Sequence, residues 1–111
     1  MSAEKARVLL KQAEADLEIG CFEKAASSAY FAARMACEVW ARRRGVRDLP
    51  RRDDKLANLV RNLGRASEAE SLLALYELRK KADYSPFFIE EGEAKLALEV
   101  AREVMKLLQV M

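Results

Sequence analysis

The stretch Leu72-Leu73-Ala74-Leu75-Tyr76-Glu77-Leu78-Arg79-Lys80-Lys81-Ala82-Asp83-Tyr84-Ser85-Pro86 reads as a helix that begins apolar and ends in a compact polar signature. Leu72, Tyr76, Arg79 and Asp83 follow at helical spacings, so they share one face, which turns from apolar to charged towards the helix end. That face carries a guanidinium, a carboxylate and a phenol side by side. Inside a fold such groups need one another or a ligand. Pro86 keeps the helix from running much further.

Working outward, Ser67 with Glu70 three residues on fits a capping box that opens this helix. Before it, Asp53 or Asp54 starts a shorter helix to about Leu63, with Leu56, Leu59, Val60 and Leu63 inward and Gly64 closing it. A long helix over about residues 22–44 has Phe22, Ala25, Ala26, Ala29, Ala33, Ala36, Val39 and Trp40 along one side. Its alanines let neighbouring helices approach closely. Ser2 can cap a first helix over residues 3–19, with Ala6, Leu9, Leu10, Ala13 and Leu17 inward and Gly20 at its end. A last helix over about residues 90–109 puts Ala94, Ala97, Leu98, Ala101, Val104, Met105 and Leu108 on a clean stripe. Glu90, Glu91 and Glu93 lie at its start, where the helix dipole favours negative charge. No segment has the alternation of a strand. The expected fold is all-α, an antiparallel up-and-down bundle of four to five helices in a single domain spanning residues 1–111.

Composition bounds the function. At 111 residues and 51% hydrophobic content the chain can bury one core. Met1-Ser2-Ala3-Glu4-Lys5 lacks the build of a secretory signal, and no apolar run approaches the ~20 residues that span a bilayer, so a soluble cytoplasmic protein without membrane contact is expected. Cys21 and Cys37, with no His in the chain, do not make a zinc site and read as buried reduced thiols. No metal or other cofactor is expected. Without His the usual general base near neutral pH is missing, leaving carboxylates, Lys, Tyr or Arg for any catalysis.

The residues resemble a known family. Asp16-Leu17, a Gly before the second helix, the run Ala25-Ala26-Ser27-Ser28-Ala29-Tyr30-Phe31-Ala32-Ala33, and then Leu75 through Tyr84 are similar to HEPN domains (higher eukaryotes and prokaryotes nucleotide-binding). The nearest likeness is to the small stand-alone prokaryotic branch whose fourth helix ends in an Arg, three residues, then Asp-Tyr. The resemblance implies a helical bundle that dimerises with its Arg-bearing ends together. It also implies a small nucleotidyltransferase as partner, in a two-component system of toxin–antitoxin type. Other members are metal-independent ribonucleases in which a His follows the Arg by four to six residues; here Asp83 and Tyr84 stand in that interval. In some relatives a tyrosine just after the motif is modified by the partner enzyme, and Tyr84 occupies a similar place.

Three roles therefore stand open for Arg79 and Asp83: a catalytic pair, an ion pair that closes the helix end and orients Tyr84, or part of a ligand site. Cleaving RNA through its own 2′-hydroxyl needs a base, an acid and positive charge on the phosphate. Arg79 can supply the charge, with Lys80 or Lys81 assisting. Asp83 can act as base only if Arg79, four residues away on one face, does not hold it in an ion pair. Tyr30 and Tyr76 read first as core residues whose hydroxyls reach a polar partner at the edge, with Tyr30 also a candidate ligand contact. The segment 42–52 adds arginines at 42, 43, 44, 47, 51 and 52 against Asp48, a local charge of +5 in a chain of net +2. Arg47, Arg51 and Arg52 on this loop can neutralise phosphates, or can be solvated residues around a helix end. Arg42, Arg43 and Arg44 can instead meet the acidic start of the last helix. The loop Pro86-Phe87-Phe88-Ile89 offers three large apolar side chains either to a second subunit or to the chain's own core.

Overall fold

Five helices form in the computed structural model, which describes residues 3–111: α1 (Ala3–Glu18), α2 (Phe22–Arg43), α3 (Asp53–Asn62), α4 (Ala66–Tyr84) and α5 (Glu91–Leu107). No strand occurs among the described residues. Ser2, the expected cap of α1, lies outside them.

Helix α2 is the hub. Alanine at 25, 26, 29, 32, 33, 36 and 41 is fully buried, and Tyr30, Cys37, Val39 and Trp40 join these residues in the core. Burial spreads well beyond the single stripe read from the sequence because α2 packs against each of the other four helices. The small side chains are what let so many neighbours reach its backbone. On the outer helices the stripes are narrower: Ala6, Leu10 and Ala13 from α1, Leu56, Ala57 and Val60 from α3, and Ala69, Leu72 and Leu75 from α4. All seven residues of the stripe expected on the last helix are buried. Leu63, expected inward, sits at the end of α3 and is exposed.

Directions follow from polar contacts at the two ends of α2. Near its start, Glu23 accepts a hydrogen bond from the backbone N–H of Ile89, just before α5 (3.1 Å). Past its middle and at its end, Arg43 donates to the carbonyl of Gln109, just after α5 (2.9 Å). Helices α2 and α5 therefore run the same way. The end of α4 meets the start of α2 through Ser27 and Asp83, so α4 runs against both. Arg43 thus reaches the finish of the last helix, not its acidic start.

Helix ends follow backbone geometry more than side-chain caps. Gly45, at φ +91°, closes α2, with its own N–H bonded to the Arg42 carbonyl (3.0 Å) and that of Val46 to the Ala41 carbonyl (3.1 Å). The same pair of bonds ends α5 around Gln109, which holds φ +56° without being a glycine. Ser67 is not a cap: α4 starts at Ala66, and Arg65 precedes it with no side-chain hydrogen bond. The reciprocal capping box is at α5, between Glu90 and Glu93. The loop 86–89 divides. Ile89 folds into the core, while Phe87 and Phe88 stay 73% and 82% exposed.

Candidate functional site

Arg79 lies in the next-to-last turn of α4, where α4 crosses the first half of α2. Its guanidinium carbon is 5.8 Å from the Tyr30 ring centre, 5.3 Å from Phe31 and 5.4 Å from Tyr84. Each cation–ring contact contributes on the order of 0.5–1 kcal/mol at a partly exposed site. Three rings thus surround the guanidinium. Nε is 2.9 Å from Asp83 Oδ2, one helical turn on. Nε is buried and has no aligned hydrogen bond, so this pairing is a charge contact rather than a directed bond. Ser27 from α2 donates to the same Asp83 oxygen at 3.3 Å. Beside them Tyr84 is 73% exposed.

The other predicted residues divide into separate places. Lys80 faces away, paired with Glu77 at 2.9 Å and lying 4.7 Å over the Tyr76 ring. Its hydrogen bond to Glu77 raises its pKa above the ordinary lysine value. Arg51 and Arg52 line a cleft of about 480 Å³ with Asp53, Tyr76 and Glu77. Within it Arg52 is paired with Asp54 through two N–H groups (3.1 and 2.8 Å). Arg47 is exposed and does not line this cleft, and neither does Arg79. Arg51 and Arg52 therefore do not share a cleft with Arg79. No group of three or more His, Cys, Asp or Glu among the described residues is arranged to hold a metal ion.

Sequence reasoning missed a polar network. Tyr30 donates to Asp53 Oδ1, and Arg34 Nη1 reaches the same oxygen at 2.9 Å. Arg34 Nη2 also holds the carbonyls of Pro50 (3.1 Å) and Arg51 (2.9 Å). Glu38, one turn on, is 3.9 Å away. Burial opposes the charge on Arg34, but Tyr30, Asp53 and Glu38 around it outweigh that cost and raise its pKa. Burial, together with the bond to Asp53, drives the Tyr30 phenol well above its ordinary value. The available signal was Arg34 itself, a charge one turn from Tyr30 on a helix otherwise lined by alanine.

Cys37 is enclosed, and burial pushes its thiol up to about 12. Cys21, by contrast, is only half-buried, at the residue before α2; both cysteines are free thiols.

None of the described helices is long and apolar enough to cross a membrane. No curated protein and no solved structure matches the chain significantly. The family model of the HEPN domain matches residues 2–111, nearly the whole chain. That match spans a chain folded as an all-α bundle, and the chain belongs to the HEPN domain family.

Proposed function

We propose that this chain is a nucleotide- or RNA-binding module that acts as a dimer alongside a small nucleotidyltransferase, in a two-component system of toxin–antitoxin type. The observation that carries the reading is the state of Arg79. Three rings surround its guanidinium, and among the described residues its buried Nε has no aligned hydrogen bond. A permanently charged, planar fork enclosed in this way suits phosphate oxygens. The exposure of Tyr84 beside it supports a role in stacking on a base or in receiving a group from the partner enzyme.

The ribonuclease reading has less support. The chain has no His, and Asp83 is already engaged at Oδ2 by both Arg79 and Ser27. Cleavage of this kind ordinarily relies on an imidazole to move its protons, and these contacts already occupy the one carboxylate beside Arg79.

Calorimetry with nucleoside triphosphates and filter binding with short RNA test the proposal. Association is expected at low salt, weakening as salt rises, and Arg79→Ala removes it. No association at low salt, or wild-type binding by Arg79→Ala, sinks it. Robust metal-independent RNA cleavage lost in both Arg79→Ala and Asp83→Asn, with folding intact, replaces the binding module with an enzyme. The partner is tested by searching the neighbouring genes for a small nucleotidyltransferase and incubating such an enzyme with the chain and nucleotide. A mass increase that Tyr84→Phe abolishes supports the pairing, and an unchanged mass opposes it.

A further inference from the structure

At the pole of the bundle far from Arg79, the end of α2, the end of α5 and the start of α4 enclose a small cleft. Arg43, Arg44 and Arg65 line it, with Trp40, Leu108 and Gln109. Along α4, Arg65 and Arg79 are fourteen positions apart, about 21 Å at ~1.5 Å per residue. One phosphate cannot touch both. The cleft is therefore a different place from the site above, and the case for it does not depend on the role of Arg79.

Its charges are poorly balanced. Arg44 has no carboxylate partner among the described residues; its guanidinium rests over the Trp40 ring at 4.9 Å, which fixes its plane and leaves its N–H groups open. Arg43 gives one N–H, from Nη1, to the Gln109 carbonyl at 2.9 Å, and the rest are unspent. Among the described residues Arg65 pairs with Glu68 alone, at 3.5 Å, beyond good hydrogen-bond distance. Three guanidinium groups thus face one carboxylate. The 19-residue helix α4 also starts at the rim, behind Arg65, with no side chain capping its first N–H groups. The positive end of its dipole adds to the field of the arginines.

We propose that this cleft is a second anion site, built for a phosphate group. Planar guanidinium forks held by a ring and a carbonyl match phosphate oxygens in shape as well as charge. Its volume of about 260 Å³ decides the size of the guest. Pockets that enclose a drug-sized molecule run to roughly 300–1,000 Å³, so this smaller cleft suits a phosphate group, with anything attached to it lying outside. The phosphate can belong to a free ion or to an RNA backbone, and the same three arginines would recognise either.

Amide and indole chemical shifts of the full chain, followed during titration with inorganic pyrophosphate and separately with a short single-stranded RNA, test the site. Shifts at Trp40 and at Gly64 through Ser67 are expected in wild type and in Arg79→Ala alike. Movement with pyrophosphate identifies a free phosphate as guest, and movement with RNA alone identifies the backbone. Arg44→Gln removes the charge from an exposed side chain that makes no hydrogen bond among the described residues. It should weaken binding at this pole by about tenfold, the loss of one charge-assisted bond. Absence of shifts at this pole with both ligands overturns the proposal, as does undiminished binding by Arg44→Gln.

Discussion

The Tyr30 hydroxyl and the Asp53 carboxylate bond directly across the α2–α3 junction, at 2.5 Å. That contact pins the first residue of α3 to the middle of the central helix, and Arg34 closes the triangle. Tyr30→Phe should lower stability by about 1–2 kcal/mol, the cost of leaving a part-buried acceptor short of a donor. Arg34→Ala should cost more, about 2–3 kcal/mol, since it also strands the Asp53 charge and frees two loop carbonyls. Urea unfolding of the two variants checks the order. A loss in Tyr30→Phe equal to that in Arg34→Ala would mean the phenol, not the ion pair, dominates.

The same bond predicts a pH dependence. Folding raises the Tyr30 pKa above its ordinary 10.0, so the unfolded chain loses this proton first as pH climbs. The associated stability is fully present below about pH 10 and drains away above it. Stability measured between pH 8 and 11 should fall more steeply in wild type than in Tyr30→Phe. Parallel curves would show that the phenol contributes no linkage.

The two thiols should differ sharply in reactivity. Cys37 is enclosed with its thiol pushed up to about 12, whereas Cys21 stands half-exposed at a helix start. An aromatic disulfide reagent at neutral pH should titrate one thiol in the native protein and a second only after denaturation. Rapid reaction of both thiols in native buffer would mean that α2 opens readily.

Gln109 occupies a backbone conformation that suits glycine, at φ +56°, and ends α5 with the bonds glycine makes at the end of α2. Gln109→Gly should therefore stabilise the protein by about 0.5–1 kcal/mol, with a rise of a few degrees in Tm. The bond from Arg43 uses the backbone carbonyl and survives the change. A fall in Tm would show that the glutamine side chain contributes more than its strain costs.

Phe87 and Phe88 protrude on the same pole as Tyr84 and Ile19, all exposed. If this apolar pole joins two copies, light scattering should give a dimer that Phe87→Ser with Phe88→Ser dissociates, without loss of helicity. A wild-type monomer at micromolar concentration would remove the dimer from the proposed function.

Helix positions were legible in the sequence because glycines stop three helices and because α5 carries a clean 3.6-residue stripe. The width of burial on α2 was not, since a helix touched from all sides has no single period to read. The cap of α4 was misread for a related reason. Gly64 turns the chain so abruptly that α4 begins before Ser67, and packing of Glu68 and Ala69 fixes the start ahead of local cap chemistry. At the site, the Arg79–Asp83 pair followed from spacing along one helix. Phe31, Ser27 and the Arg34–Asp53 bond did not, because they depend on how α2 lies across α4 and on where the loop returns.

An alanine-lined axis also governs how such a chain can vary over time. Any methyl group added at Ala26, Ala29, Ala33 or Ala36 would press on a neighbouring helix, so drift there needs a compensating loss on the facing side. Residues at the two poles carry no such debt. Descendants of this sequence are free to exchange ligand chemistry at the helix ends while the axis that holds those ends apart stays nearly fixed.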